Sequence, residues 1–298
     1  MVTPENFCFA PGVGVFVRDD TRVQFGLDST RAGALECPNP SALAQKLRHA
    51  VGAYEFPRSW WEDQLCNAGM DPLAARSVFN DLLEFGIIRP VPAASTVVVY
   101  GCSPFTESVK EALRTRNIRV RSPLTCQDLA TFCSIVEPRS VVVAVDTLAE
   151  ADDVAAALIR LPEGCVFIPV NVIDNRGIVG PLRLDTQGPC PLCFELHRAD
   201  IDPCWPLLTR QLPNTTPTYD PVVAASVNAR LIMIIEWALK RPLPPSARPR
   251  SYFSGEVFDV DLYGKSQHRL LTTHSQCPIC FAAANASGPW VPLPPINP

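Results

Sequence analysis

The chain has no basic cluster, no clean membrane-length apolar run and no glycine-rich phosphate turn, and each gap removes a class of function. Its 26 lysines and arginines against 30 acidic residues leave a formal net charge of −4. Without a concentrated positive face there is no footprint for a phosphate backbone, so nucleic acid is not expected as a partner. The longest apolar stretch, Val222 to Leu239, is interrupted by Asn228, Arg230 and Glu236. Such interruptions mark a buried helix rather than a span, and no membrane association is expected. Met1 to Asn6 lacks the positive-then-apolar build of a secretion signal, so the expected setting is the cytoplasm. Internal repeats are not evident, and no nucleophile elbow, phosphate loop or HExxH motif appears.

What is present describes a globular protein. The 298 residues, 47% of them hydrophobic and 19% charged, suffice for one large domain or two smaller ones with a real core. Proline, at 31 residues, is about twice as frequent as the usual ~5%. It gathers in connections and in the tail Pro289 to Pro295, which reads as extended. Twelve cysteines without a secretion signal point to a reducing compartment rather than a disulfide framework.

Four of those cysteines form two knuckles of identical build, Cys190-Pro-Leu-Cys193 and Cys277-Pro-Ile-Cys280. A C-P-x-C turn aims two sulfurs at one point, and two such turns supply the four thiolates of a closed tetrahedral site, the pattern Zn²⁺ prefers. With every coordination position filled by protein, the metal is expected to be structural, joining the C-terminal segment to the middle of the chain. Two unrelated turns, or a redox pair, would need coincidence to repeat both spacing and proline. His197 and His274 flank the knuckles; either replaces a weak ligand or hydrogen-bonds around the site, and the second role is the expected one. The other eight cysteines (Cys8, Cys37, Cys66, Cys102, Cys126, Cys133, Cys165, Cys204) are expected to be mostly buried small apolar residues.

Residues 1–92 read as a unit of their own. Val13 to Val17 and Arg22 to Gly26 are short strands around the turn Arg18-Asp19-Asp20-Thr21, with a third strand at Ala32 to Glu36. Helices follow at Ser41 to Val51 and Trp60 to Asn67. A third opens at Asp71-Pro72 and stops at Gly86. A closing strand, Ile87 to Val91, completes a winged-helix-like pattern. Beyond a short linker, residues 96–298 alternate strands and helices: Thr96 to Tyr100, Phe105 to Arg116, Ile118 to Arg121, Cys126 to Val136, Val141 to Asp146, Leu148 to Leu161 and Val166 to Val170. Uninterrupted valine runs within such alternation predict a parallel sheet covered on both faces, a Rossmann-like α/β domain.

In a nucleotide-binding domain of that kind the first strand runs into a glycine-rich turn at a helix N-terminus. Here the turn is Gly101-Cys102-Ser103-Pro104-Phe105-Thr106, with one glycine only. Pro104 removes a backbone donor and Phe105 obstructs close approach. The second strand ends in Arg119, Arg121 and Ser122 where an acidic residue would hold a ribose. The expectation is a nucleotide-binding scaffold that has lost its nucleotide, with Asp146 a lone carboxylate at the third strand's end.

The block Gly180-Pro181-Leu182, followed by Gly188-Pro189-Cys190-Pro191-Leu192-Cys193-Phe194-Glu195-Leu196-His197-Arg198-Ala199-Asp200-Ile201-Asp202-Pro203-Cys204-Trp205-Pro206, resembles the ThiF-like (ubiquitin-activating-enzyme-like) proteins that work with YcaO cyclodehydratases on ribosomal peptides. The later apolar helix, and His274 ahead of Cys277 and Cys280, follow the same pattern, and Val23-Gln24-Phe25-Gly26-Leu27-Asp28 resembles a strand of the family's winged-helix peptide-recognition element. The departures are Leu184-Asp185-Thr186-Gln187-Gly188 ahead of the first knuckle, and no fused YcaO region.

The resemblance implies an α/β protein: an N-terminal winged-helix-like module and a ThiF-type Rossmann-like domain with a structural zinc site of four cysteines. It implies a non-catalytic component that binds a precursor leader peptide as an added strand and docks a separate YcaO-type enzyme, with a homodimer as a possible state. The residues expected near the peptide are Val23, Phe25 and Leu27 on the strand and Leu73, Arg76, Phe79 and Leu83 on the third helix; period-two and helical apolar positions also face cores. The competing readings are an ATP-dependent adenylating enzyme and a winged-helix regulator with a zinc sensor domain. Against the second, the third helix carries Arg76 beside Asp71, Asp81 and Glu84, a balance unsuited to DNA.

Overall fold

The computed structural model describes residues 6–28, 30–52, 55–92, 94–124, 128–212, 218–245, 247–248 and 250–286. Two compact units divide the chain, Met1–Ala93 with Lys240–Arg250, and Ala94–Leu239 with Ser251–Pro298. Residues 240–250 thus fold with the first unit, although in sequence they follow the second unit's long helix.

The first unit runs β1 (Asn6–Phe9), β2 (Val15–Asp19), β3 (Arg22–Phe25), β4 (Gly33–Glu36), α1 (Pro40–Ala50), β5 (Phe56–Pro57), α2 (Arg58–Asn67), α3 (Pro72–Glu84) and β6 (Ile88–Pro90). Local chemistry explains the boundaries. Asp19 Oδ1 accepts from the Thr21 backbone N–H at 3.0 Å, closing the β2–β3 turn. Asn39 and Asp71 cap α1 and α3, each followed by proline at the first helical position. The strands form two antiparallel sheets, β2-β3-β4 and β5-β1-β6. Strands β1 and β5 have no counterpart in the sequence reading. They are short, and their pairing with each other is a long-range event no local pattern announces. The core is aromatic, with Phe7, Phe9, Phe25, Phe56, Trp61 and Phe79 all buried.

The second unit runs β7 (Ser95–Tyr100), α4 (Pro104–Thr115), β8 (Ile118–Arg121), α5 (Leu129–Ser134), β9 (Val141–Val145), α6 (Ala151–Ala157), β10 (Val166–Ile173), β11 (Arg176–Val179), β12 (Arg183–Leu184), α7 (Pro191–Ile201), α8 (Trp205–Thr209), α9 (Pro221–Ala238), β13 (Glu256–Val260), β14 (Gln267–Leu270) and α10 (Pro278–Ala286). Its eight-stranded sheet has the order β14-β13-β11-β10-β9-β7-β8, with β12 alongside β10. Strands β8, β7, β9 and β10 are parallel, as the valine runs predict. The remainder is antiparallel, so the sheet is mixed. The reversal occurs at Asp174-Asn175, whose φ values of 49° and 60° make a two-residue hairpin turn that leaves no length for a crossover helix.

Alternate strand residues serve opposite faces. Val97, Val99, Val143, Val145, Ile168 and Val170 pack with α4 and α9, whereas Val98, Val142, Ala144 and Phe167 pack with α5, α6 and the cysteine-bearing segments. Each buried valine or isoleucine contributes roughly 1.5–3 kcal/mol over exposure. Helix α9 is long and apolar enough to cross a membrane by length and composition, with a mean hydropathy of 1.3. It lies against α4 and strands β10, β11 and β13, burying Val223, Val227, Leu231, Ile234 and Ile235.

One close approach anchors that helix. A Cβ on Gly177 of β11 would lie 2.0 Å from Val227 Cγ2, and Val227 is fully buried. Gly177→Ala is therefore expected to cost about 1–3 kcal/mol through overpacking. Combination with Val227→Ala should recover part of that loss, and urea denaturation of the three variants checks the coupling.

Candidate metal centre and peptide-recognition surface

Both knuckles are helix starts. Cys190 is the N-cap of α7, Pro191 its first residue and Cys193 its third. At α10, Cys277 O accepts from Phe281 N–H at 3.0 Å, so Cys277 also stands at the cap, with Pro278 first and Cys280 third. Cap and third positions project to the same side of a helix end. The Cys190 side chain caps nothing in its own helix, since its sulfur turns instead toward the other thiols. Two helix N-termini, the positive ends of their dipoles, thereby converge on one cluster and favour thiolates there.

The four Sγ atoms lie within 4.8 Å of one another. Cys190 is 3.8 Å from Cys193 and 3.6 Å from Cys277, and Cys193 is 3.5 Å from Cys280. Tetrahedral zinc with bonds of about 2.3 Å separates its sulfurs by about 3.8 Å, whereas a disulfide requires about 2.05 Å. The donor set and its spacing thus fit a four-coordinate soft cation, and the cluster can hold a metal ion. Cys190, Cys193 and Cys277 are buried, and Cys280 is half-buried, so the site presents no open coordination position to a substrate. Four thiols this close cannot all ionise without a cation. Hydrogen bonding with Cys193 and Cys280, together with burial, pushes the Cys190 thiol up. Hydrogen bonds from Cys190 and Cys193 push Cys280 down.

The surroundings supply positive partial charge. The His274 backbone N–H points at Cys193 Sγ at 3.4 Å. Arg183 Nη1 lies 4.0 Å from Cys280 Sγ and donates to Gly188 O at 2.9 Å. The two histidines are committed elsewhere. His274 Nδ1 accepts from Gln276 N–H at 3.1 Å, which places the ring proton on Nε2, 3.0 Å from Asp200 Oδ2. His197 Nε2 donates to Thr272 O at 3.0 Å. Both rings thus tie α7 to the segment between β14 and α10 that carries the second knuckle. Sequence reasoning placed the histidines there but missed Arg183 and Asp200, whose roles depend on chain segments about 75 to 97 residues away.

At the C-terminal edge of β7, Gly101 has φ +132° and its added Cβ would meet Val145 O at 2.5 Å. Ser103 caps α4, its Oγ accepting from Thr106 N–H at 3.1 Å within a capping box. The same Oγ donates to Asp146 Oδ2 at 2.6 Å, and Asp146 Oδ1 accepts from Val172 N–H at 3.2 Å. Burial raises the Asp146 carboxyl above its ordinary range. The helix end where a phosphate would sit is therefore occupied by the chain's own hydroxyl and backed by a carboxylate.

The residues expected near a peptide separate into two groups. Val23, Phe25 and Phe79 are buried in the first unit's core, while Leu27 and Leu73 are exposed at 79% and 74%. Arg76 pairs with Glu62 at 3.5 Å, and Leu83 packs partly against the core. Strand β3 is the middle strand, hydrogen-bonded to β2 and β4 on its two sides. Its ladder at Val23 and Phe25 is already complete, so the free edges of that sheet belong to β2 and β4 and not to β3. The thiols depart from expectation as well. Cys37, Cys133 and Cys165 are buried and Cys8 and Cys66 half-buried, but Cys102 and Cys204 are exposed, and Cys126 lies outside the described residues, as does the tail beyond residue 286.

No protein-family model matches the sequence, and no curated protein matches it. Solved structures do. The fold is similar to that of the heterocyclase TruD, at 18% identity and a TM-score of 0.57 over 93% of this chain and 43% of TruD. A heterocyclase in complex with substrate and cofactor matches at 16% identity and a TM-score of 0.58, over 93% of this chain and 39% of that one. A chain of the E. coli microcin synthetase McbBCD complex with pro-MccB17 bound matches at 10% identity and a TM-score of 0.56, covering 92% of this chain and 99% of its own. What this chain shares with them is the fold, and it spans about two-fifths of the length of the two heterocyclases.

Proposed function

We propose that the chain is a zinc-stabilised, leader-peptide-binding scaffold that partners a separate YcaO-type cyclodehydratase in azoline-modified, bacteriocin-like peptide biosynthesis. The observation that carries this reading is a closed four-thiol cluster within a fold shared with two heterocyclases and a microcin-synthetase chain. The chain matches 43% and 39% of the length of the two heterocyclases, and under this reading ATP binding and the ring-forming chemistry belong to the YcaO-type enzyme. Under this reading the first unit is the winged-helix-like recognition element. A leader strand would add to a free edge of the β2-β3-β4 sheet, at β2 or β4. Main-chain hydrogen bonds would give affinity, and the exposed Leu27, Leu73 and Arg76 would contribute to register.

The metal's contribution is structural: Cys190, Cys193, Cys277 and Cys280 would hold Zn²⁺, which supplies cross-linking without an open position for catalysis. The adenylating alternative requires a phosphate cradle at Gly101. The Ser103 capping box and the Ser103–Asp146 hydrogen bond put a carboxylate where a triphosphate would bring like charge.

Reconstitution tests the reading. The chain, a YcaO-type enzyme and a candidate precursor peptide, supplied with ATP and Mg²⁺, are expected to give loss of one water mass per ring in the peptide, and omission of the chain should abolish it. Calorimetric titration of the chain alone with ATP and Mg²⁺ should give no binding heat, and saturable binding there would favour the adenylating enzyme.

A further inference from the structure

A cavity of about 640 Å³ opens in the second unit beyond the C-terminal end of β10. That size lies within the roughly 300–1,000 Å³ typical of ligand sites. Its body is apolar, walled by Leu148 and Ile173 from the sheet side and by Trp205 and Leu208 from α8, and its rim carries the carboxylates of Asp174 and Asp220. No lysine or arginine lines it among the described residues.

Its walls are held in place before any ligand arrives. Trp205 Nε1 donates to Glu195 Oε2 at 2.7 Å, and the Arg198 guanidinium sits 5.5 Å from the same indole. Asp220 is pinned as the N-cap of α9, accepting from Val222 N–H at 2.7 Å and from Tyr263 OH at 2.9 Å. Asp174 projects from the β10–β11 hairpin tip, exposed and without an ion-pair partner among the described residues. Fixed walls lower the ordering cost of binding. The charge pattern sets the sign of the ligand. A phosphate or a chain-terminal carboxylate would face two like charges, whereas a cation beside an apolar body matches both rim and interior.

We propose that this cavity is a binding site for a peptide segment in which a basic residue follows a bulky apolar one, the apolar side chain entering between the α8 pair Trp205 and Leu208 and the facing Leu148 and Ile173, and the basic one reaching Asp174 and Asp220. The site belongs to the second unit alone and is separate from leader binding to the first, so either can fail without the other.

Titration of the full chain with N-acetyl-Phe-Arg-amide, which carries no tryptophan, reads the site through indole fluorescence and through calorimetry. Saturable binding is expected. N-acetyl-Phe-Glu-amide and N-acetyl-Gly-Arg-amide should each bind at least about tenfold more weakly, for lost charge complementarity and lost apolar burial respectively. Asp174→Lys reverses an exposed rim charge, and Leu208→Arg fills the mouth from a half-exposed position. Both should weaken the Phe-Arg probe about tenfold or more while leaving thermal unfolding unchanged. Trp205→Phe should remove the fluorescence response but keep the calorimetric heat. Absence of Phe-Arg binding at millimolar concentration would overturn the proposal, as would equal affinity for the Glu probe or unaltered affinity in both variants. Equal or tighter binding of 2-phenylethylamine would overturn the assignment to a peptide.

Discussion

Replacing Cys277 and Cys280 together with serine is expected to release the zinc ion proposed to join the two knuckles and to detach the C-terminal segment. Serine hydroxyls are poor soft-metal ligands, and the two remaining thiols cannot close a tetrahedral site. Structural zinc in small domains carries about 10–16 kcal/mol of apparent binding free energy at neutral pH, comparable with the ~5–15 kcal/mol total stability of a typical domain. Helix α10 spans nine residues, too few for an isolated helix to persist in water. Its attachment rests on Cys277 and Cys280, on Ile279 packed against the core, and on the histidine hydrogen bonds that the cluster keeps in register. Native mass spectrometry should report loss of the metal, and hydrogen exchange should report loss of protection across residues 267–286 with the parallel strands β7 and β9 still protected. Cys204→Ser, at an exposed position, should keep the metal. Unchanged metal content in the double variant would contradict the site.

The second large effect is expected in the first unit. Trp61 is fully buried, with ring centroids 5.6 Å from Phe9, 6.0 Å from Phe56 and 6.3 Å from Phe25. Trp61→Ala removes the centre of that cluster and should cost about 3–5 kcal/mol. Trp61 Nε1 is buried without a hydrogen-bond partner among the described residues, a donor whose desolvation costs roughly 1–3 kcal/mol. Trp61→Phe removes that donor along with part of the ring, so its loss should be less than half that of Trp61→Ala. The two units have separate cores, and the first should therefore unfold at lower urea while the second keeps its midpoint. Residue-resolved hydrogen exchange distinguishes this from a single shifted transition, and coincident loss of both units would show that they fold as one.

The local elements were legible because their signals are local. Asn39-Pro40 and Asp71-Pro72 announce helix starts through a capping side chain and a pre-set φ, and Val141 to Val145 announces a strand buried on both faces. The knuckles were legible for the same reason: Cys190-Pro191-Leu192-Cys193 carries its geometry within four residues. Direction and edge were harder to read. The spacing gave Val23 and Phe25 as strand residues, but whether β3 lies in the middle of its sheet depends on β4 closing its second side. Periodicity states which residues share a face and says nothing about which ladder is free.

By itself the sequence determined the two cysteine turns, the helix caps and the apolar alternation, since each is written in neighbouring residues whose φ/ψ preferences and spacing act at short range. Only the tertiary structure decided that the four sulfurs share one point, that the sheet reverses at Asp174-Asn175, that Ser103 and Asp146 close the edge of β7 on itself, and that a cavity with an acidic rim opens beside Trp205. Those outcomes depend on residues tens of positions apart being brought within hydrogen-bonding or ligand distance, and that is set by how the cores pack rather than by any local preference.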